Sequence, residues 1–462
     1  MPRPEPLTDD QRFPLIPEER RGLLTRLRQH ERAPRWNMAS GDRLTEAHLA
    51  AVVAWGEAAR QGPPRWEPGG APPWVDPLVA RLTQTVPFYR ARGGAHLSEI
   101  PSFRRADLAR EPWSFVPDGQ PLDALLVYPT SGSTGPAFDV YSHPVAASVY
   151  LAFVAAVLAD LGVTLLGGPD RVSVAAVHHQ RGTYTYPSLM SYLGGAGFVK
   201  LNLHPDEWSA PGDARAFLDA LDPEVYTGDP LAFEALAALS LRRRPKALIS
   251  SAMTLLPGMR ARLEARFGCP VIDLYSLTEA RLIAADTGQG LRVRAPDLFV
   301  EILHPERDEA LPEGARGEIT VSGGCNPLLP LLRYRTGDFA RLEHRADGVY
   351  LADLEGRAPV ALLSAAGALV NTIDVSRALA PFALPQFQLS QAADLGLTLA
   401  VRGEADPPLL RAALAELFGE LPIAVTALPE GPGAGGKVLQ YRSEVQAPVD
   451  LRPLFGDPAG AA

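Results

Sequence analysis

A chain of 462 residues, 46% hydrophobic and 21% charged, is too long for one small core and reads as two or three packed domains, not as a disordered polymer. A formal net charge of −9 argues against a general nucleic-acid binder, and the one dense basic run, Arg242-Arg-Arg-Pro-Lys246, is expected to be a solvated edge. Only Cys269 and Cys325 are present, too few for a disulfide framework or a set of zinc ligands, which fits a reducing cytoplasm.

The N-terminus is rich in Pro, Arg, Asp and Glu and shows no signal peptide. Residues 1–73 stand apart as an extension of open role, with one helix pattern from Thr45 to Arg60 and a Pro/Gly-rich linker after it. At Trp74 the pattern changes to a helix start, Asp76-Pro-Leu-Val-Ala-Arg-Leu82, which runs into Val86-Pro-Phe-Tyr89. A strand-like Ala124 to Val127 then enters Tyr128-Pro-Thr-Ser-Gly-Ser-Thr-Gly135. The longest apolar run, Val145 to Ala159, is shorter than the roughly 20 residues that span a bilayer, so it predicts a buried helix on a sheet and no membrane partner.

Residues 122–350 alternate β-branched runs with helix patterns. The strands are expected near Arg171–Val177, Glu224–Tyr226, Ala247–Ile249 and Val271–Tyr275, and the helices near Ala214–Leu221, Leu231–Ser240 and Gly258–Phe267. Phe299–Val321 and Phe339–Leu351 read as antiparallel strands of a separate sheet. From Arg357 onward a compact α+β unit of about a hundred residues is expected. The domains predicted are therefore 1–73, a large layered α/β domain at 74–356, and a small α+β domain at 357–462.

Five stretches combine residues that a packed core does not need. In the loop, Gly132 and Gly135 allow close backbone approach, and Thr130, Ser131, Ser133 and Thr134 add hydroxyl donors, together a nest for phosphate. Tyr275-Ser-Leu-Thr-Glu279 ends a predicted strand, where α/β folds place ligands, and Glu279 offers a hard oxygen suited to Mg²⁺. Arg333-Tyr-Arg-Thr-Gly-Asp338 presents an Asp that can accept from two vicinal ribose hydroxyls. Glu355-Gly-Arg357 supplies a guanidinium. Gly431-Pro-Gly-Ala-Gly-Gly-Lys437 carries one of only three lysines. It lacks the Ser/Thr of a Walker A loop, having Val438, and too little chain follows for a dinucleotide fold.

In this order the motifs resemble the adenylate-forming enzyme superfamily, and within it the phenylacetate–CoA ligase and coenzyme F390 synthetase subfamily, over about Trp74 to Tyr441. The resemblance implies a large domain hinged to a small mobile one, with ATP, Mg²⁺ and CoA as cofactors. Residues 130–135 would hold phosphates. Tyr275 would stack on adenine beside Ser251, Ala252 and Met253. Thr278 and Glu279 would bind phosphate and metal, Asp338 the ribose, and Arg357 would assist. Lys437 would stabilise the charge built up as a carboxylate attacks the α-phosphate. The acid would meet Val177 to Tyr186 and Tyr226 to Asp229, with His178, His179, Tyr184, Tyr226 and Gly228 as its contacts and an aromatic acid as its natural occupant.

Three departures stand out. Pro136 follows the phosphate loop where the family carries a lysine, Ser276 replaces a glycine, and the hinge reads Gly356-Arg-Ala-Pro-Val360 where the family has Gly-Arg-x-Asp-Asp. The expected reaction is acyl-AMP formation followed by thioester formation with CoA, in a cytoplasmic enzyme that allows a homodimer. The alternatives are transfer to an amine, carrier protein or cofactor, and nucleotide binding without turnover.

Overall fold

A computed structural model of the chain describes residues 6–129, 138–429, 438–445 and 452–455. The strands β1 Leu126–Pro129 and β2 Asp139–Ser142 form an antiparallel hairpin. Twelve further strands follow: β3 Val172–His178, β4 Tyr186–Met190, β5 Ala196–Asn202, β6 Val225–Gly228, β7 Ala247–Ser251 and β8 Val271–Leu277, then β9 Arg281–Asp286, β10 Leu291–Val293, β11 Leu298–Leu303, β12 Arg316–Gly323, β13 Leu331–Arg345 and β14 Gly348–Glu355. They make one sheet in the order β11-β12-β13-β14-β10-β9-β8-β7-β6-β3-β5-β4. The run β5-β3-β6-β7-β8 is parallel and its neighbours are antiparallel. The predicted alternation is therefore present, but the separate second sheet is not. The short strands β9 and β10 continue the parallel core into the antiparallel meander.

Both faces of the parallel part are covered, as its β-branched strands require. Val174, Val225, Ile249, Ile272 and Leu274 meet the helix Pro144–Asp160, which is apolar all round and buried rather than membrane-spanning. No helix among the described residues is long and apolar enough to cross a membrane. Tyr226, Leu248 and Val271 face the other way, into the cluster that holds Phe217, Phe233 and Met259.

The segment before residue 74 is built into this body. Its helix Glu46–Arg60, capped by Thr45, packs on Pro144–Asp160, and a Cβ on Gly56 would lie 3.1 Å from that of Ala152. Phe13, Leu23, Leu24 and Leu27 enter the main core, and Trp66 of the expected linker packs edge-on against Phe299 at 5.2 Å. Its aromatic and aliphatic side chains thus brace the sheet.

Val86-Pro-Phe-Tyr89 is an anchor for β13. The Tyr89 hydroxyl donates to the Pro330 carbonyl at 3.1 Å and accepts from the Leu332 N–H at 2.9 Å, both fully buried. Tyr89→Phe should leave two buried backbone groups unpaired and cost about 1–3 kcal/mol, read as a lower urea midpoint. An unchanged midpoint would mean the hydroxyl does not hold the strand.

Toward the C-terminus, Gln386–Gln391, Leu397–Arg402, Ile423–Ala427 and Tyr441–Ser443 form a four-stranded sheet, with Thr372–Leu379 and Pro407–Phe418 as its helices. Its core runs on into that of the large body. At the seam the Gly258 N–H donates to the Ala380 carbonyl at 2.7 Å, and a Cβ on Gly258 would sit 2.3 Å from the Pro381 carbonyl oxygen.

Candidate active site

Tyr275, Thr278, Glu279 and Asp338, with Ser251 to Met253 beside them, gather near the carboxyl end of β8. Alternation along this strand sends Ile272 and Leu274 to one face and Tyr275 to the other. A register shift against β9 falls between Tyr275 and Ser276, and Thr278-Glu279-Ala280 forms the three-residue turn into β9. The Tyr275 hydroxyl donates to Asp338 Oδ2 at 2.8 Å, and burial holds its pKa far above the usual phenol value, so it stays a donor. Its ring is 8% exposed, with little face left over for stacking.

Asp338 is set from its own side as well. Gly337 takes φ +82°, and the Asp338 N–H donates to Thr336 Oγ1 at 3.1 Å. Arg357 is close enough for the Asp338 carboxylate to favour its charge against burial, which pulls its pKa down. A Cβ on Gly356 would come within 3.7 Å of Asp338 Oδ1. Ser251, Ala252 and Met253 lie at the end of the adjacent β7, with Ser251 opposite Leu274 and Ala252 at φ +70°.

Glu279 folds back into the protein and is 4% exposed. Its Oε1 takes the Tyr334 hydroxyl at 3.3 Å and the Arg105 guanidinium at 3.5 Å. Neither contact uses Oε2. Tyr334, whose pKa burial raises strongly, is a permanent donor here. The flanking arginines serve the scaffold. Arg333 reaches the Ile100 and Asp308 carbonyls, while Arg335 pairs with Glu318 at 2.8 Å and Asp308 at 3.0 Å. Both are buried, so β13 is pinned where Tyr334 and Asp338 face β8.

Arg105 and the role of Tyr334 were not foreseen. Arg105 starts the short helix Arg105–Arg110, and the pairing of Phe103 with Tyr334, with Ser102 bound by Arg335, brings it alongside β13. Nothing local in Ser102-Phe-Arg-Arg105 marks it out.

Of the expected acid-binding residues, His178 and Gly228 close the neighbouring parallel strands β3 and β6. Tyr226 is 2% exposed in the main core, its phenol pKa raised by burial, and Tyr184 is 59% exposed. Gly228 is needed for packing, since a Cβ would lie 2.8 Å from the Val177 carbonyl oxygen. His178 ends β3, where burial, with Lys200 nearby, lowers its pKa to about 4 and keeps it neutral. His179 is exposed, its ring 5.8 Å from that of His204. Tyr226 thus packs within the main core, on the face that alternation along a buried strand gives it. Thr130, Ser131, Gly132, Ser133, Thr134, Gly135 and Lys437 lie outside the described residues.

A family model described as AMP-binding enzyme matches residues 83–326, more than half of the chain. The phenylacetate-coenzyme A ligase of Thermus thermophilus is 25% identical over 295 residues, 58% of this chain and 64% of that protein. The phenylacetate-coenzyme A ligase of Aromatoleum evansii is 33% identical over 89 residues, 18% of this chain and 20% of its own length. The chain thus spans less than two thirds of these curated relatives. A crystal structure of 2-hydroxyisobutyryl-CoA ligase in the postadenylation state, in complex with 2-HIB-AMP, matches with a TM-score of 0.58 at 17% identity, over 87% of this chain and 90% of that one. The two share a fold, a large N-terminal domain with a smaller C-terminal one. With Arg105, Tyr275 and Glu279 inside the matched span, the chain belongs to the AMP-binding enzyme family.

Proposed function

We propose that this chain is an AMP-forming acid ligase, joining a carboxylic acid to ATP as acyl-AMP with release of pyrophosphate and then passing the acyl group to coenzyme A. The observation that carries the reading is the Tyr275–Asp338 hydrogen bond at 2.8 Å beside a buried Glu279. It aims one carboxylate at a ribose and holds another at the strand end where phosphates would lie. Asp338 would accept from the ribose hydroxyls, Tyr275 would border the base and orient Asp338, and Arg357 would balance the charge. Thr278 would donate to phosphate, and the hydroxyls and N–H groups of residues 130–135 would grip the rest.

Among the described residues no group of three or more His, Cys, Asp or Glu could hold a metal. A Mg²⁺ bound through one carboxylate and the nucleotide's own phosphates fits Glu279, whose Oε1 is fixed by Arg105 and Tyr334. When bound it would neutralise phosphate charge; the protein's part is to fix that carboxylate and exclude water.

ATP–pyrophosphate exchange across a panel of acids, aryl acids first, tests the reading. Acid-dependent exchange with CoA-dependent release of AMP is the expected result. Exchange without a CoA product would indicate another acceptor. No exchange with any acid, despite ATP binding, would leave a nucleotide-binding protein without turnover.

The second step favours a specific comparison. We place the pivot between the large domain, 74–356, and the small one at Gly356-Arg357. Just before it, Glu355 pairs with Arg316 and accepts from Thr372 Oγ1 at 2.9 Å; just after it, Pro359 is buried with its φ fixed. Pro359→Asp is expected to change the CoA-dependent step by about fivefold or more while exchange stays within about twofold. Equal effects on both steps would count against a pivot there.

A further inference from the structure

We propose that Arg281 is the cation that receives the triphosphate tail of ATP and its pyrophosphate product, an assignment that rests on the ligase reading above. The hairpin β1–β2 pairs Pro129 with Asp139, and the chain between them, Thr-Ser-Gly-Ser-Thr-Gly-Pro-Ala-Phe, contains no Lys or Arg. A site for three or four phosphate charges needs positive charge from elsewhere. Arg281 is two residues past Glu279 and touches both strands of that hairpin. Its guanidinium lies over the Tyr128 ring at 4.6 Å and donates to the buried Ser142 hydroxyl.

Three features separate Arg281 from an ordinary surface arginine. It pairs with no carboxylate among the described residues, whereas Arg105, Arg333 and Arg335 each do. Its Nε is buried without a hydrogen-bond partner. Its backbone is left-handed, φ +63°, directly after the Thr278-Glu279-Ala280 turn. That is where a three-residue hairpin ordinarily takes glycine, and a side chain there costs free energy. An arginine in a glycine position, with donors unspent beside Glu279, fits a residue kept for an anion. As the carboxylate oxygen bonds to the α-phosphorus, the bond to the bridging oxygen breaks and its electron pair leaves with pyrophosphate. The guanidinium would bind that leaving anion.

Arg281→Gly tests this, because glycine suits φ +63° and so offsets part of what is lost with the Ser142 and Tyr128 contacts. Expected are an ATP Kd and a pyrophosphate KM in the reverse reaction raised by about tenfold or more, an AMP Kd within twofold, and a Tm within a few degrees of the parent. Arg281→Lys should keep part of the preference for ATP over AMP. If AMP and ATP weaken together with a lower Tm, Arg281 only ties the hairpin down. If the KM of the acid rises while ATP is unaffected, the cation serves the acid's carboxylate. Either result, or no change at all, overturns the assignment and leaves the ligase reading standing. A parent protein that binds neither nucleotide overturns both.

Discussion

Lys437→Ala is expected to slow acyl-adenylate formation by about 10²–10³-fold, with the Kd of ATP changed by less than about threefold. The chemistry sets the direction. When a carboxylate attacks the α-phosphate, negative charge gathers on oxygens that were less charged in the ground state, so a cation there acts on the rate more than on binding. The chain has three lysines, and the structure occupies one of the others: Lys246 pairs with Glu224 at 2.6 Å and donates to the Thr164 carbonyl. Lys200 sits within β5, where burial lowers its pKa.

The segment that follows Lys437 is tied to the nucleotide side of the molecule. Thr254, next to Met253, donates to Gln440 Oε1 at 3.3 Å, and Gln440 is also held through its carbonyl by the Leu389 N–H at 2.8 Å. Single-turnover formation of acyl-AMP, measured beside equilibrium binding of ATP, separates the two effects. A loss confined to ATP affinity, or a rate within about threefold of the parent, would remove Lys437 from the reaction.

The fold was largely legible because its strands carry continuous β-branched runs and its helices carry caps. Val271 to Tyr275 and Gly258 to Phe267 were placed within two residues of the observed strand and helix. Adjacent motif residues were legible too: Tyr275 and Glu279 flank the end of β8, and Asp338, midway along β13, follows a glycine turn signal. What could not be read were contacts between distant segments. Arg105 reaches Glu279 because Phe103 bridges to Tyr334 and Arg335 binds Ser102, and Trp66 braces the sheet from a stretch whose composition reads as a linker. The continuation of the parallel sheet through β10 hung on a three-residue strand, too short to leave a pattern. Tyr226 and Gly228 stand on a strand whose two faces are both buried, so a polar or small side chain there has a packing role that sequence pattern alone does not separate from a pocket.

Glu279 is where scaffold and chemistry meet, and a single substitution separates them. Glu279→Gln preserves shape but removes the charge that Arg105 and the Tyr334 hydroxyl address. Loss of a buried ionic hydrogen bond should lower stability by about 1–3 kcal/mol, seen in urea unfolding. If Glu279 also holds the metal on the phosphates, exchange should fall by about 100-fold or more, far beyond what a protein still folded under assay conditions would lose. Tyr334→Phe supplies the contrast: it removes the Tyr334–Glu279 hydrogen bond and keeps the carboxylate, so it should lose a comparable amount of stability with an exchange rate within about tenfold of the parent. If Glu279→Gln and Tyr334→Phe lose rate equally, Glu279 is only the counter-ion of Arg105. A rate gap of ten or more between variants of matched stability assigns the carboxylate to the nucleotide, because the two substitutions differ at this position in charge and not in packing.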